Sequence, residues 1–354
     1  MEKIITSLII KKYKDEDEEV WDDFVKEGIL GTIYHTRKFI NYHPKDRFVD
    51  NSILLYLKDE LICVVPACKK PKLITNNVII MPDGDIDIDP SEFTTLEEER
   101  YFSYMGATYG GPVFLRKYFE TRYVNIILNE VLNYYHNKIE FRIANNIYFE
   151  DNIFMVYSLL GSKMRMVPEL SWYIDTNDDM LNIIKNKSNK DYLLKMIKND
   201  TIVCKKATTN EEYCYFHRML SKTLKDKHDS TPTHSCDELL LLKTILKTQQ
   251  LLYLVKEGEL IYGGIYVIKA TSTCWYTVYM TRNIDLEKSK QATSSIAIIY
   301  AVYSIYKDAL LEGVKYVDYG ICVEDSGNIL NVGLADFKER SLGGKSNARY
   351  LFLI

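Results

Sequence analysis

One order of elements occurs twice in this chain, and that repeat limits the fold more than any other feature. In the first half, apolar residues alternate on both sides of a Lys-Asp-Glu turn, over Ser52–Leu57 and Leu61–Cys68, which predicts a hairpin. A helix is predicted over Arg116–His136, with Val124, Ile127, Leu128, Val131 and Leu132 on one face, followed by a strand over Ile139–Ala144. In the second half a hairpin is predicted from Leu251–Val255 and Leu260–Ile268 around Lys-Glu-Gly-Glu. A strand over Thr273–Thr281, a helix over Ala292–Leu311 and a strand over Val314–Tyr319 complete that half, with Gly313 placed to end the helix. Both hairpins contain Leu-Leu-Tyr-Leu, at 54–57 and 251–254. Four shared residues weigh little; the shared order is the better sign of an internal duplication.

Halves of this kind build a mixed α/β (α+β) layer structure. The 354 residues suit two domains of roughly 150 to 180 residues, and the boundary is expected near Pro168, giving 1–167 and 168–354. Hydrophobic residues at 47% allow each half its own core. Strands are expected over Ile4–Lys12 and Trp172–Thr176. The acidic run Asp15–Asp23 reads as the exposed start of a helix ending near Gly28, with Trp21, Phe24 and Val25 inward. Pro82–Glu99 reads as a surface loop. A lysine-rich helix is expected over Asp178–Asn199, its Lys185, Lys187, Lys190, Lys195 and Lys198 forming either a solvated face or a polyanion patch.

A formal charge of -4 gives no global field for nucleic acid, and DNA is not an expected partner. The 28 tyrosines fill cores and strands, and they also suit clefts for sugars and nucleotides. The seven cysteines are odd in number and lack a Cys-x-x-Cys pair, so reduced thiols in a cytoplasmic protein are expected. The first twelve residues lack the apolar run of a signal peptide, and no membrane-spanning stretch is expected.

Four stretches, taken in order, resemble FemABX-like GNAT proteins associated with surface-polysaccharide genes. The first joins Trp21-Asp-Asp-Phe-Val, Gly31-Thr-Ile-Tyr-His-Thr-Arg-Lys-Phe-Ile-Asn-Tyr-His43 and the hairpin ending Val65-Pro-Ala67. The second is Ala107-Thr-Tyr-Gly-Gly111, and the third Lys227-His228-Asp-Ser-Thr-Pro-Thr-His234, similar to a His-x(3)-Pro-x-His stretch of the group. The fourth is Tyr316-Val-Asp-Tyr-Gly320 with Asn331-Val-Gly-Leu-Ala-Asp-Phe-Lys338, whose Phe-Lys pair is shared with peptidoglycan bridge-forming transferases. The resemblance covers nearly the whole chain. It implies two tandem GNAT-like domains and transfer of an activated acyl group to an amine or hydroxyl. The implied donor is acyl-CoA, or aminoacyl-tRNA as in the bridge-forming branch. The implied acceptor is an amino sugar or nucleotide-sugar precursor of a surface glycan. On matching positions it places His35, Tyr109, Gly110, Gly111, His234, Tyr319, Asn331 and Phe337 at the substrate. A binder of glycan or nucleotide that kept the fold without turnover is a third reading.

Acyl transfer to an amine needs a donor held with its carbonyl exposed, a base for the amine proton, and stabilisation of the tetrahedral oxyanion. No Gly-x-Ser-x-Gly elbow is present, as expected where no covalent nucleophile is needed. Gln291-Ala292-Thr293-Ser294-Ser295 stands where GNAT proteins carry a glycine-rich pyrophosphate loop; it keeps the Gln and replaces glycines by Ser. A helix N-terminus still offers free N–H groups, and the same residues also read as simple N-caps. Lys338 is the leading catalytic candidate, to neutralise an oxyanion or donor phosphate, against a solvated lysine beside Glu339 and Arg340. Asp318, at a strand end, can deprotonate an amine or hold the next loop. His228 could act as a base, and it and His234 could equally be packing residues of a turn. With Cys236 they hint at zinc, but a fourth ligand is missing, and no metal is expected.

Overall fold

In the computed structural model, residues 8–44, 47–74, 96–149, 153–162, 164–324 and 327–353 are described. The first half runs β1 (Leu8–Lys12), α1 (Glu18–Glu27), α2 (Arg37–Ile40), β2 (Val49–Asp50), β3 (Ile53–Leu57), β4 (Glu60–Val65), β5 (Cys68–Ile74), β6 (Leu96–Phe102), β7 (Val113–Phe114), α3 (Thr121–Tyr134), β8 (Ile139–Ile143), α4 (Ile153–Gly161) and β9 (Arg165–Asp175). The second runs α5 (Met180–Ile183), α6 (Lys187–Ile197), β10 (Ile202–Lys206), α7 (Asn210–His228), α8 (Cys236–Leu246), β11 (Gln250–Glu257), β12 (Leu260–Lys269), β13 (Cys274–Arg282), α9 (Gln291–Leu311), β14 (Tyr316–Ile321), β15 (Val323–Glu324), β16 (Ile329–Leu330), α10 (Val332–Asp336) and β17 (Lys345–Leu353).

The repeated order is present in both halves. Each has a hairpin, a long helix and a pair of parallel strands that flank the helix in sequence: β6 with β8, and β13 with β14. The first-half hairpin lies in a separate four-stranded sheet, β1-β3-β4-β7, while the other strands of the two halves, apart from the β15-β16 pair, fuse into an 11-stranded mixed sheet, ordered β10-β11-β12-β13-β14-β9-β17-β8-β6-β5-β2. The fusion is an exchange. Strand β9 follows β8 in sequence yet pairs with β14, and β17 follows β14 yet pairs with β8. The two exchanged strands pair with each other from Lys345 against Tyr173 to Leu353 against Arg165. Pro168 falls inside β9, opposite Tyr350.

Helix periodicity decides what is buried. Val124, Ile127, Leu128 and Val131 turn the face of α3 onto Ile139 and Phe141 of β8. Helix α9 buries Ile296, Ile299, Val302 and Ile305 against Trp275 and Val317. On the opposite face of the sheet, Phe216 and Leu220 of α7 and Leu239 and Leu242 of α8 share one core with Tyr34, Tyr109 and Tyr148 of the first half. The halves are therefore joined by sheet and by core.

Four expectations need correction. Leu96–Glu99 belong to strand β6 rather than a surface loop; 75–95 lie outside the described residues. The first-half helix begins at Thr121, since 116–118 form a tight 3-10 turn. The lysine-rich segment is two helices. Asn186 caps α6 by accepting from the Asn189 N–H, and the N–H groups of Lys185 and Asn186 go to the Arg340 carbonyl, so the chain leaves the helix there. The cysteines are not all free: Cys214 and Cys236 are joined as a disulfide, with Cα atoms 5.6 Å apart.

Candidate active site

Strands β13 and β14 share register only from Cys274 against Tyr316 to Tyr276 against Asp318. Beyond that pair they part. Strand β13 continues along β12 with a bulge at Val278, and β14 loses register with β9 between Asp318 and Ile321. Parallel strands that diverge open a split at their carboxyl ends, the place where α/β sheets hold ligands. Asp318 and Gly320 sit at its apex.

Asp318 is fully buried, and its carboxylate is clamped by three donors. Oδ2 accepts from the Tyr109 hydroxyl at 3.0 Å and the Tyr148 hydroxyl at 2.8 Å; Oδ1 accepts from the Gly320 N–H at 2.7 Å. Burial pushes the Asp318 pKa above the usual carboxylate range, and these donors oppose the shift. Both tyrosines come from the first half. Tyr148 arrives on the loop after β8, where Asn145 donates to Ser171 on β9 and Asn146 accepts from Asn347 on β17. Tyr34 and Tyr276 pack edge-on against Tyr109.

Lys338 lies in a π-helical turn, Phe337–Ser341, and is buried. Its ammonium donates to the carbonyls of Gly320 at 3.1 Å and Ile321 at 3.0 Å, with Cys322 as a further side-chain partner. Burial holds its pKa below the ordinary lysine range. Lys338 and Asp318 meet through one residue: Gly320 gives its N–H to the acid, and its C=O accepts from the ammonium. Gly320 has φ +75°, and a Cβ there would lie 2.9 Å from the Tyr276 hydroxyl, so this kink requires glycine.

An ion seam crosses the exchanged strands beside this apex. The Arg349 Nε donates to Glu169 at 2.6 Å, its NH1 to the Thr108 carbonyl at 3.2 Å, and Arg142 stands 3.6 Å from the same carboxylate. The Arg349 guanidinium also lies 5.8 Å from the Tyr109 ring centroid. Two cations on one buried carboxylate leave positive charge facing the Tyr109–Tyr276 wall.

No protein-family model and no curated protein matches the chain. Solved structures do. FemX superposes with a TM-score of 0.65 over 98% of this chain and 97% of that one, at 11% identity. L-PGS from Bacillus licheniformis superposes with a TM-score of 0.52 over 97% and 92%, at 11% identity. A tandem GNAT protein from the clavulanic acid biosynthesis pathway gives 0.50 over 98% and 97%, at 7% identity. This chain has the tandem GNAT fold of the FemX-like group. At these identities the likeness is one of fold.

In this tandem GNAT fold the segment Gln291–Ser295 forms the first turn of α9, at the carboxyl end of β13. Its N-cap, Lys290, makes no side-chain cap bond, and neither Thr293 nor Ser294 caps the helix, which continues directly from a 3-10 turn, Lys288–Lys290. Ser294 is buried and donates to the carbonyls of Asn283 at 2.7 Å and Tyr262 at 3.1 Å. Ser295 donates to Gln291 and accepts from Arg282, and the Gln291 side chain turns back to Leu286. The hydroxyls of Ser294 and Ser295 are thus engaged within the protein, and Ala292 is exposed.

The other predicted positions disperse. His35 is buried, its Nδ1 3.2 Å from the Thr32 N–H, and burial lowers its pKa to about 4. Gly110 packs closely on the protein's own backbone: a Cβ would lie 2.1 Å from the Ser103 carbonyl oxygen. Gly111 has φ +114°. His234 bridges the hydroxyls of Tyr279 at 2.6 Å and Tyr42 at 2.8 Å, away from Asp318 in the bonding network. The Tyr319 hydroxyl donates to Leu342 in the core beneath α9. Asn331 caps α10, and Phe337 packs partly buried beside Lys338. The side chain of His228 lies outside the described residues. Among the described residues no group of three His, Cys, Asp or Glu side chains gathers as a metal site, and no helix is long and apolar enough to cross a membrane.

Tyr148, Tyr276, Arg349, Glu169 and Arg142 escaped the sequence reading. Their one legible signal is position: Tyr148 follows the predicted strand Ile139–Ala144, where a parallel strand pair places its ligands.

Proposed function

We propose that this chain is an acyltransferase that forms an amide, or an ester, on an amino sugar or nucleotide-sugar precursor of a surface glycan, with acyl-CoA as donor, in the cytoplasm. The observation that supports it is the buried Asp318–Gly320–Lys338 unit at the apex of the β13/β14 crevice. The thioester carbonyl lies in the crevice and the acceptor amine approaches it. The C–N bond forms as the amine proton passes through a phenol of Tyr109 or Tyr148 to Asp318, whose raised pKa makes it a better base. Positive charge from Lys338, conveyed through the Gly320–Ile321 backbone, stabilises the tetrahedral oxyanion. Collapse breaks the C–S bond, and the thiolate leaves and takes a proton. The first turn of α9 receives the donor phosphates, with Lys288 and Lys290 beside it.

One observation favours a second reading. The first turn of α9 has no glycine cradle and its Ser294 faces inward, which suits an aminoacyl-tRNA donor held elsewhere as well as a CoA thioester. Native mass spectrometry of freshly purified protein separates the two. A co-purified CoA thioester supports the first reading, and co-purified tRNA replaces it by the second.

A further inference from the structure

We propose that Cys214 and Cys236 form a reversible redox modification site whose bonded state holds the α7–α8 loop and, through His234, the strand β13. The disulfide links the first turns of α7 to the first residue of α8. Both cysteines are half-buried and within reach of a small thiol. The other thiols differ. Cys63, Cys68, Cys274 and Cys322 are buried, and burial pushes the Cys204 pKa up to about 12, which leaves almost no thiolate to react.

The two helices do not depend on the bond for their packing. Phe216 and Leu220 of α7 already meet Leu239 and Leu242 of α8 in one apolar core. Opening the bond therefore removes one restraint at the end of the connection Asp229–Ser235 rather than unfolding the helix pair. That connection is also held at His234. The His234 carbonyl accepts from His217 at 2.9 Å, and the His234 ring bridges Tyr279 of β13 and Tyr42 of the first half. Tyr279 stands immediately past the bulge at Val278, three residues beyond the Tyr276 that pairs with Asp318. The route from thiol chemistry to the crevice is thus Cys236, His234, Tyr279 and the bulged strand.

The chemistry is thiol–disulfide exchange with a low-molecular-weight thiol. The incoming thiolate attacks one sulfur of the pair, and a mixed disulfide forms. The other cysteine leaves as thiolate and takes a proton. A second small thiol releases the first cysteine, and the two small thiols depart as their disulfide. Oxidation runs the same steps backwards with the small disulfide as oxidant.

The test uses the full-length protein equilibrated in oxidised or reduced glutathione, alkylated and mapped by mass spectrometry, with hydrogen exchange followed in parallel. It needs no substrate, so its outcome is independent of the acyltransferase reading. Cys214 and Cys236 are expected to be bonded in oxidised glutathione, alkylated in reduced glutathione, and to cycle both ways. Amides of Asp229–Ser235 and of β13 should exchange about tenfold faster when reduced, and those of β8 should not change. Cys236→Ser in oxidised glutathione should match the reduced wild type, and Cys204→Ser should behave as wild type in both buffers. Alkylation of both cysteines in oxidised glutathione would overturn the site. Reduction that frees both thiols and leaves β13 exchange unchanged would overturn the coupling. If Cys236→Ser does not fold, the wild-type comparison decides alone.

Discussion

Lys338→Met removes an ammonium that serves two carbonyls and a thiol at once, so its effects on stability and on turnover must be read separately. Leaving buried carbonyls unpaired costs roughly 1 to 3 kcal/mol and shows in a thermal melt. Loss of charge at an oxyanion costs about 2.7 to 4 kcal/mol, or roughly 100- to 1000-fold in turnover on the native acceptor. A folded variant within a few-fold of wild type retires Lys338 from catalysis. Tyr148→Phe tests the base. The phenol stabilises the Asp318 carboxylate, so its loss raises that pKa further, and the acid limb of kcat/KM should move to higher pH. An unmoved limb leaves Asp318 a structural acid. Histidine titration sets acid stability. The folded-state pKa of buried His35 is lowered to about 4, below its unfolded value, so its contribution is complete above that value and is lost as pH falls toward 4. The loss is up to about 3 kcal/mol, and His35→Asn should flatten the fall in Tm between pH 6.5 and 4. Asp318, raised by burial, acts in the opposite sense, its contribution fading as pH rises through its folded value. Asp318 and Lys338 could be singled out as candidates because each stands in a short recognisable string. Tyr148 was not, because its contact with Asp318 spans 170 positions and no local pattern encodes it.

At the scale of elements, the first turn of α9 offers a test whose two signs differ. Asp at Ser294 would set a carboxylate against two carbonyl oxygens in the core, and any loss of binding would be confounded with unfolding. Ala292 is exposed in the same turn. Ala292→Asp places negative charge at the positive end of a helix dipole, which stabilises by about 0.3 to 1 kcal/mol. The same charge repels a phosphate. Donor affinity is expected to fall about tenfold while Tm holds or rises; calorimetry with acetyl-CoA and a melt measure the two. Unchanged affinity moves the donor phosphates away from α9. Helix α9 was legible to within a residue because its apolar period is long and Gly313 ends it. The break between α5 and α6 was not, since it is made by the distant Arg340 carbonyl, and β17 was missed because its pairing partners lie in the other half.

At the scale of the whole molecule, the exchange of β9 and β17 makes each half incomplete without the other. Strand β8 lacks a neighbour unless β17 arrives from the end of the chain, and β14 lacks one unless β9 arrives from the first half. The duplicated order was readable from composition and period; the exchange was not, because alternation along a strand reports which face is buried and nothing about which strand lies beside it. The physical consequence is cooperativity. Two domains with private sheets would open separately, whereas two halves that complete each other open together. Arg349 of β17 and Glu169 of β9 lie at that junction, both buried and bonded at 2.6 Å. Arg349→Met leaves Glu169 with Arg142 at 3.6 Å as its remaining cation and should cost about 3 to 5 kcal/mol, the usual loss when one partner of a buried pair is removed. Hydrogen exchange under mild denaturant reads the effect strand by strand. The slowest amides of β3 and β8 and those of β12 and β14 are expected to share one opening free energy in the wild type, and to fall by the same amount in Arg349→Met. A fall confined to one half, with the other at its wild-type value, would show that the halves unfold independently despite the shared strands.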